Sequence, residues 1–357
     1  MPVFDDPAFD HHEQIVFCHD PQSGLRAIIA LHNTNRGPAL GGARMWNYAD
    51  SAAALTDVLR LSRGMTYKSA LAGLPFGGGK AVILGDPKHD KSPDLFHALG
   101  RYVDSLGGRY TVAEDVGIDV ADIEQVAHET AHVAGVPAGG SGDPSPATAY
   151  GVFVGIRAAI KHRLGADRIA GDKLTGISVA IQGAGHVGYE LARHLTGAGA
   201  DVQIADVDPA RVKRAQDDLG ATPIATDHFL EAEVDVLAPC ALGGLLDDTT
   251  IPKLRTSIVA GAANNQLAET RHGEMLRERG ILYAPDYVIN AGGIINISYE
   301  GASYDRARAF SHVALIHDTL LAIFQRAEAA GIPTSQAADR LAEERFTHPN
   351  PDPAQAA

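Results

Sequence analysis

The sequence predicts a two-domain α/β protein: an N-terminal mixed-sheet α/β domain followed by a doubly wound parallel-sheet domain. Three observations predict it. The chain has 357 residues, and at about 150 residues per domain that length suggests two cores. Short apolar, β-branched runs alternate with helical patterns, most regularly in the second half. Between the halves lies AGVPAGGSGDPSP, residues 134–146, rich in Gly, Pro and Ser, where a domain boundary is expected. The domains are read as 1–145 and 146–332, with the C-terminal helical segment 333–357 joining the first domain.

The elements follow in order. QIVFCHD and LRAIIALHN are apolar runs separated by Pro21, Ser23 and Gly24, which predicts an antiparallel hairpin. Asp50 can cap a helix through SAAALTDVLRLSRGMTY, where Leu55, Val58, Leu59 and Leu61 form an apolar stripe. KAVILG reads as a strand, LFHALGRYVDSLG as a helix, RYTVA as a strand and VADIEQVAHE as a helix. The helix ATAYGVFVGIRAAIKHRLG stops at Gly165. The later strands are ISVAIQ, DVQIAD, VDVLAP, SIVAG and ILYAP, with helical stretches between them, the pattern of a parallel sheet. YDRARAFSHVALIHDTLLAIFQRAEAAG reads as one long helix and ADRLAEERF as the last. The tail HPNPDPAQAA reads as disordered.

Composition narrows the function. Hydrophobic residues make up 45% and charged residues 21%, as in globular proteins. The formal net charge of −14 disfavours phosphate backbones and anionic membranes as partners. No run approaches the roughly 18 apolar residues of a spanning helix, and the acidic start MPVFDDPAFDHHEQ does not read as a signal peptide. Two distant cysteines, Cys18 and Cys240, exclude a disulfide scaffold and fit a reducing cytoplasm.

Gly183-Ala184-Gly185-His186-Val187-Gly188 matches G-x-G-x-x-G after the strand ISVAIQ and opens the helix VGYELARHL. That context marks a dinucleotide-binding Rossmann unit. Gly183 allows the tight turn, Gly185 the approach of a pyrophosphate, and Gly188 the packing of helix on strand. Asp206 ends the next strand, where an acid accepts hydrogen bonds from ribose hydroxyls and repels a 2′-phosphate. NAD is therefore expected rather than NADP.

Lys80 follows Gly77-Gly78-Gly79 and precedes AVIL. Desolvation there, and a second lysine such as Lys68, would lower its pKa toward that of a base. Asp115 lies just beyond the strand RYTVA, as cleft carboxylates often do. Spacing alone fits solvated lysines and a capping aspartate better. Longer stretches change that weight: GPALGGARMW, RLSRGMTYKSALAGLPFGGGKAVI, GRYTVAEDVG, PSPATAYGVF, APCALGG, VAGAANNQL and ILYAPDYVINAGGIIN. Together they resemble the glutamate, leucine, valine and phenylalanine dehydrogenase family in its own order, most closely its leucine branch.

The resemblance implies NAD-dependent oxidative deamination of an L-amino acid to a 2-oxo acid and ammonium, in a cleft between the domains of a homo-oligomer. It makes Lys80 the base that activates water and Asp115 the group exchanging protons with the amino nitrogen. Lys68 would hold the substrate carboxylate, beside the backbone of Gly41 and Gly42. Thr148 and Asn264 would hold the nicotinamide carboxamide or the region next to the substrate, Asn290 the substrate end, and Cys240 and Ala241 would lie beside the cofactor. The side-chain pocket would involve Leu40, Ala113, Ile294 and Ile297. Glutamate enzymes carry a lysine where this chain has Leu40, and burying a substrate carboxylate against leucine is costly. A branched aliphatic substrate is therefore expected, with phenylalanine or another aromatic amino acid as the alternative.

Two readings compete from other classes. His128-Glu129-Thr130-Ala131-His132 matches H-E-x-x-H, which on a helix could ligate zinc in a hydrolase. Position 138 is Ala138 rather than a third histidine, so no metal is expected. An NAD-binding protein without turnover is the other, disfavoured by the intact set Lys68, Lys80 and Asp115.

Overall fold

In the computed structural model, which describes residues 3–135, 142–169, 171, 173–301 and 304–347, the predicted hairpin pairs β1 (Gln14–Asp20) with β2 (Leu25–Asn33). Residues 136–141 of the expected linker and the tail from His348 lie outside the described residues. The chain divides into two units. One holds Met1–Gly142, Ile297–Tyr304 and Ala342–Ala357, the other Asp143–Asn296 and Asp305–Leu341. The first change of unit falls between Gly142 and Asp143. The second unit runs past 332, and the first takes back 297–304.

The first unit continues with β3 (Ala39–Trp46), α1 (Ser51–Leu71), β4 (Gly77–Leu84), α2 (Pro93–Asp104), β5 (Tyr110–Ala113) and α3 (Val120–Ala127). Its sheet has the order β1-β2-β4-β3-β5. Pairs β1/β2 and β2/β4 are antiparallel, while β4/β3 and β3/β5 are parallel, so the sheet is mixed. Alternation along β2 sends Leu25, Ile29 and Leu31 to one core with Phe96, Leu99 and Tyr110. Ile28 and Ala30 pack with Leu55, Val58 and Leu59 of α1 on the opposite face. Asp50 caps α1 by accepting from the Ala53 N–H at 2.8 Å, worth about 1 kcal/mol.

A histidine pair is buried behind α1. The His12 and His32 rings lie 4.9 Å apart. His12 Nε2 stands 3.0 Å from the Leu59 carbonyl, and His32 Nδ1 stands 2.9 Å from Thr66 Oγ1. Burial, helped by neighbouring His12, pushes His32 down to about 4, and burial also lowers His12. Burial favours the neutral form of both rings in the fold, whereas both protonate near 6.5 when unfolded. The His32 contribution is complete above pH 6.5 and is lost as pH falls toward 4. His32 alone accounts for roughly 3 kcal/mol over that window. Urea unfolding at pH 7, 6, 5 and 4 checks this, with His32→Gln expected to flatten the acid slope. An equally steep slope in that variant contradicts the assignment.

The second unit begins with α4 (Ser145–Arg163) and continues with β6 (Ser178–Gln182), α5 (His186–Gly197), β7 (Asp201–Ala205), α6 (Pro209–Leu219), β8 (Thr222–Pro223), β9 (Val234–Pro239) and β10 (Thr256–Val259). Then come α7 (His272–Glu278), β11 (Leu282–Tyr283), α8 (Asp286–Ile289) and α9 (Gly292–Ile297), whose last residue groups with the first unit. The strands pair in parallel in the order β11-β10-β9-β6-β7-β8. This is a Rossmann-like sheet whose order reverses at β6, where ligands bind in such folds. The long C-terminal helical pattern is split into α10 (Arg306–Val313) and α11 (Ile316–Ala330). The last helix, α12 (Thr334–Phe346), is shared. Asp339 accepts from Tyr287 Oη at 2.5 Å in the second unit. In the first, Arg345 Nη1 donates to the Leu71 carbonyl at 2.9 Å and Glu343 accepts from Tyr67 Oη at 2.9 Å. Among the described residues no helix is long and apolar enough to cross a membrane.

Candidate active site

Strand register brings the charged residues of the first unit together. Lys80 lies on β4 opposite Ala30 of β2, and Asp115 follows β5 by two residues. Lys80 Nζ stands 3.1 Å from Asp115 Oδ2. Arg44 of β3 donates to the same oxygen from Nε at 2.8 Å, and its Nη1 donates to Asp57 Oδ2 of α1 at 3.2 Å. Tyr48 Oη donates to that Asp57 oxygen at 2.6 Å. The Lys80 side chain is only 6% exposed. Burial lowers its pKa, and Arg44 adds to this, against the pull of Asp115. Burial pushes Asp115 up, but Lys80 and Arg44 outweigh it and hold the carboxyl below its usual range. The pair therefore offers an amine able to lose its proton beside a carboxylate that is charged in the resting site.

The glycines make room for this arrangement. Gly42 on β3 pairs with Ala113 on β5. A Cβ at Gly42 would stand 2.3 Å from the Glu114 carbonyl oxygen and 2.8 Å from Asp115 Cβ. Leu40 and Gly41 precede it on β3, and Leu40 and Ala113 are buried. Lys68 lies in the last turn of α1, half-buried. Ile294 sits on α9 with the second unit and Ile297 with the first. The four expected pocket residues are thus divided between the units.

Sequence reasoning missed Arg44 and Tyr48 because it missed β3, and it missed Asp57 on α1. On a strand, Leu40, Gly42 and Arg44 share one face by alternation, and that reading of ALGGARMW would have pointed to Arg44. Asp57 carried no comparable signal.

In the second unit the fingerprint forms the turn from β6 into α5. Gly183 has φ +95, and a Cβ at Gly188 would stand 1.9 Å from the Gly183 carbonyl oxygen. Above Gly185 the surface is open: a Cβ there meets only Arg211 Nη1, at 4.0 Å. Gly185 caps α5 without a side-chain hydrogen bond, which leaves helix N–H groups for a phosphate. His186 and Val187 begin α5. The Ala184 N–H donates to Asp206 Oδ2 at 2.6 Å and the Asp208 N–H donates to Oδ1 at 2.8 Å. Asp206 thus fixes the loop, and Arg211 Nη1 stands 4.0 Å from its Oδ2. These features fit a dinucleotide.

The other expected cofactor residues border the same end of the sheet. The Cys240 N–H donates to the Gln182 carbonyl at 2.8 Å, and Ala241 Cβ lies 3.1 Å from the position a Gly183 Cβ would take. Burial pushes the Cys240 thiol up to about 12, so it is no nucleophile. Asn290 Nδ2 donates to Asn264 Oδ1 at 2.7 Å. Thr148 Oγ1 donates to the Pro144 carbonyl at 3.0 Å and lies beside Gly293 of α9.

The H-E-x-x-H reading is corrected. α3 ends at Ala127, so the motif is not helical and its histidines do not share a helix face. The chain turns instead to join β5. The Val112 N–H donates to the His132 carbonyl at 3.0 Å and the Ala134 N–H to the Val112 carbonyl at 2.8 Å. Among the described residues no three His, Cys, Asp or Glu side chains gather as a metal site.

Comparisons with known proteins identify the family. Residues 12–132 match the family model of the Glu/Leu/Phe/Val dehydrogenase dimerisation domain. Residues 139–212 and 203–327 match that of Glutamate/Leucine/Phenylalanine/Valine dehydrogenase. A leucine dehydrogenase of Thermoactinomyces intermedius is 52% identical, over 97% of this chain and 94% of its own. An L-tryptophan dehydrogenase of Nostoc punctiforme is 49% identical, over 94% of each chain. The crystal structure of the L-tryptophan dehydrogenase from that organism matches with a TM-score of 0.84 at 46% identity, covering 94% of this chain and 96% of the other. A phenylalanine dehydrogenase of Caldalkalibacillus thermarum is 46% identical, over 94% of this chain and 91% of its own. The chain belongs to the Glu/Leu/Phe/Val dehydrogenase family and is an amino acid dehydrogenase.

Proposed function

We propose that the protein catalyses the reversible, NAD-dependent oxidative deamination of branched-chain L-amino acids. The observation that carries this is the buried Lys80 amine 3.1 Å from the charged Asp115 carboxylate. When bound at the Gly183–Gly188 turn, the dinucleotide supplies the hydride acceptor. Lys68 holds the substrate carboxylate. Asp115 takes a proton from the substrate ammonium, so that the nitrogen lone pair can drive hydride from Cα and leave an iminium. Neutral Lys80 takes a proton from the water that attacks the iminium carbon. Asp115 returns its proton to the nitrogen; as the C–N bond breaks, the hydroxyl proton passes to the departing ammonia, and Lys80 releases to solvent the proton it took from water. One C–H and one C–N bond are lost and one C=O bond is made. The products are the 2-oxo acid, ammonium, NADH and one proton released to solvent.

Leu40 supports an apolar substrate, because a side-chain carboxylate beside it would lie unpaired. Relatives named for leucine, tryptophan and phenylalanine agree with that. An aromatic substrate is the second reading, favoured by the match to the tryptophan enzyme. Asp206 supports NAD over NADP. We further propose a homo-oligomer assembled through the first unit, in keeping with the matched domain's description, and a reducing cytoplasm, in keeping with two free cysteines.

The test follows NADH absorbance at alkaline pH with leucine, isoleucine, valine, phenylalanine, tryptophan and glutamate, with NAD⁺ or NADP⁺. Turnover is expected to be fastest on the three aliphatic substrates with NAD⁺. A methylene changes discrimination by only about 1–3 kcal/mol, so all three react. A preference for phenylalanine or tryptophan overturns the branched-chain assignment. A preference for glutamate overturns the apolar one.

A further inference from the structure

We propose that Arg44 and Asp57 are positioning residues for the deamination. Arg44 holds the carboxylate oxygen of Asp115 that faces Lys80, and Asp57, with Tyr48, holds Arg44. This inference rests on the reading of Lys80 as the base. It comes from one continuous path: Lys80 Nζ to Asp115 Oδ2 at 3.1 Å, that oxygen to Arg44 Nε at 2.8 Å, Arg44 Nη1 to Asp57 Oδ2 at 3.2 Å, and that oxygen to Tyr48 Oη at 2.6 Å. The Arg44 and Asp57 side chains are only 22% and 30% exposed, so solvent screens them weakly.

The two residues act on Lys80 in opposite directions. Asp115 alone would keep Lys80 protonated, because a buried carboxylate favours a neighbouring cation. Arg44 competes for the same Asp115 oxygen and adds a positive charge, and both effects favour the neutral amine. Asp57 draws Arg44 back and adds a negative charge, and both effects favour the ammonium. Every element packed around Lys80 enters this balance. β3 contributes Arg44, the turn after β5 contributes Asp115, and α1 contributes Asp57 and carries Lys68. β2 places the uncharged Ala30 opposite. Arg44 also fixes the carboxylate in one orientation, with its planar guanidinium anchored at both ends.

The test is the pH profile of kcat/KM for the wild type, Arg44→Gln, Arg44→Lys and Asp57→Asn. The substrate is the amino acid that the wild type turns over fastest. The acid limb reports the base in the free enzyme. For Arg44→Gln the limb is expected to move up by about one pH unit. That is about a tenfold loss of kcat/KM on the acid side, with a smaller loss on the alkaline plateau. For Asp57→Asn the limb is expected to move down. Arg44→Lys keeps the cation and is expected to bring the limb back toward its wild-type position, even where Arg44→Gln folds poorly. Limbs that stay put, or that move the same way in the Gln and Asn variants, overturn the proposal. A wild type without turnover on any amino acid overturns the underlying reading of Lys80 instead.

Discussion

Replacing Lys80 by alanine is expected to lower kcat about 10²–10⁴-fold, the range lost when a positioned base is removed. The fold should survive, because Arg44 still pairs with the half-buried Asp115 at 2.8 Å. NAD⁺ affinity should stay close to the wild-type value, because the Gly183–Gly188 turn belongs to the other unit. Titration calorimetry with NAD⁺, alongside steady-state kinetics, separates the two effects. Lost turnover with retained binding is the expected result. Turnover within a few-fold of wild type would show that another group activates water.

Gly42→Ala is expected to cost about 10²-fold in kcat/KM without changing any ionisable group, because small displacements at a reacting centre cost that much. The new methyl would stand 2.3 Å from the Glu114 carbonyl oxygen and 2.8 Å from Asp115 Cβ. Both are closer than real Cβ contacts, and the first involves backbone that cannot swing aside. The end of β5 must therefore shift, carrying Asp115 away from Lys80. The forced overpacking should also lower stability by about 1–3 kcal/mol. Thermal unfolding and kinetics of the same sample measure both. An unimpaired Gly42→Ala enzyme would mean that Asp115 needs no fixed position.

Legibility in the sequence followed how local each signal was. The β1/β2 hairpin and the turn from β6 into α5 could be read because pattern, turn residues and glycines lie within a few positions of one another. β3 escaped because Gly41 and Gly42 in its centre weaken the strand signal, although parallel pairing with β4 and β5 holds it. With β3 went Arg44, and with Arg44 the link to Asp57 on α1. That link exists only because α1 packs over the sheet. Lys80 and Asp115 stand out by their glycine and strand context, but only the family resemblance gives them roles. Their spacing in sequence carries no trace of the pairing that brings Nζ to Oδ2. The helix expected through His128 and Glu129 fails for the opposite reason. Its local pattern is helical, but Val112 of β5 pairs with Val133 and draws the chain into extended form.

The most direct test of the central claim is the simultaneous measurement of NADH and ammonium formed from L-leucine and NAD⁺. Deamination through Lys80 and Asp115 predicts one ammonium for each NADH, with both products falling together in Lys80→Ala. NADH without ammonium, or neither product from any branched-chain amino acid, would contradict it.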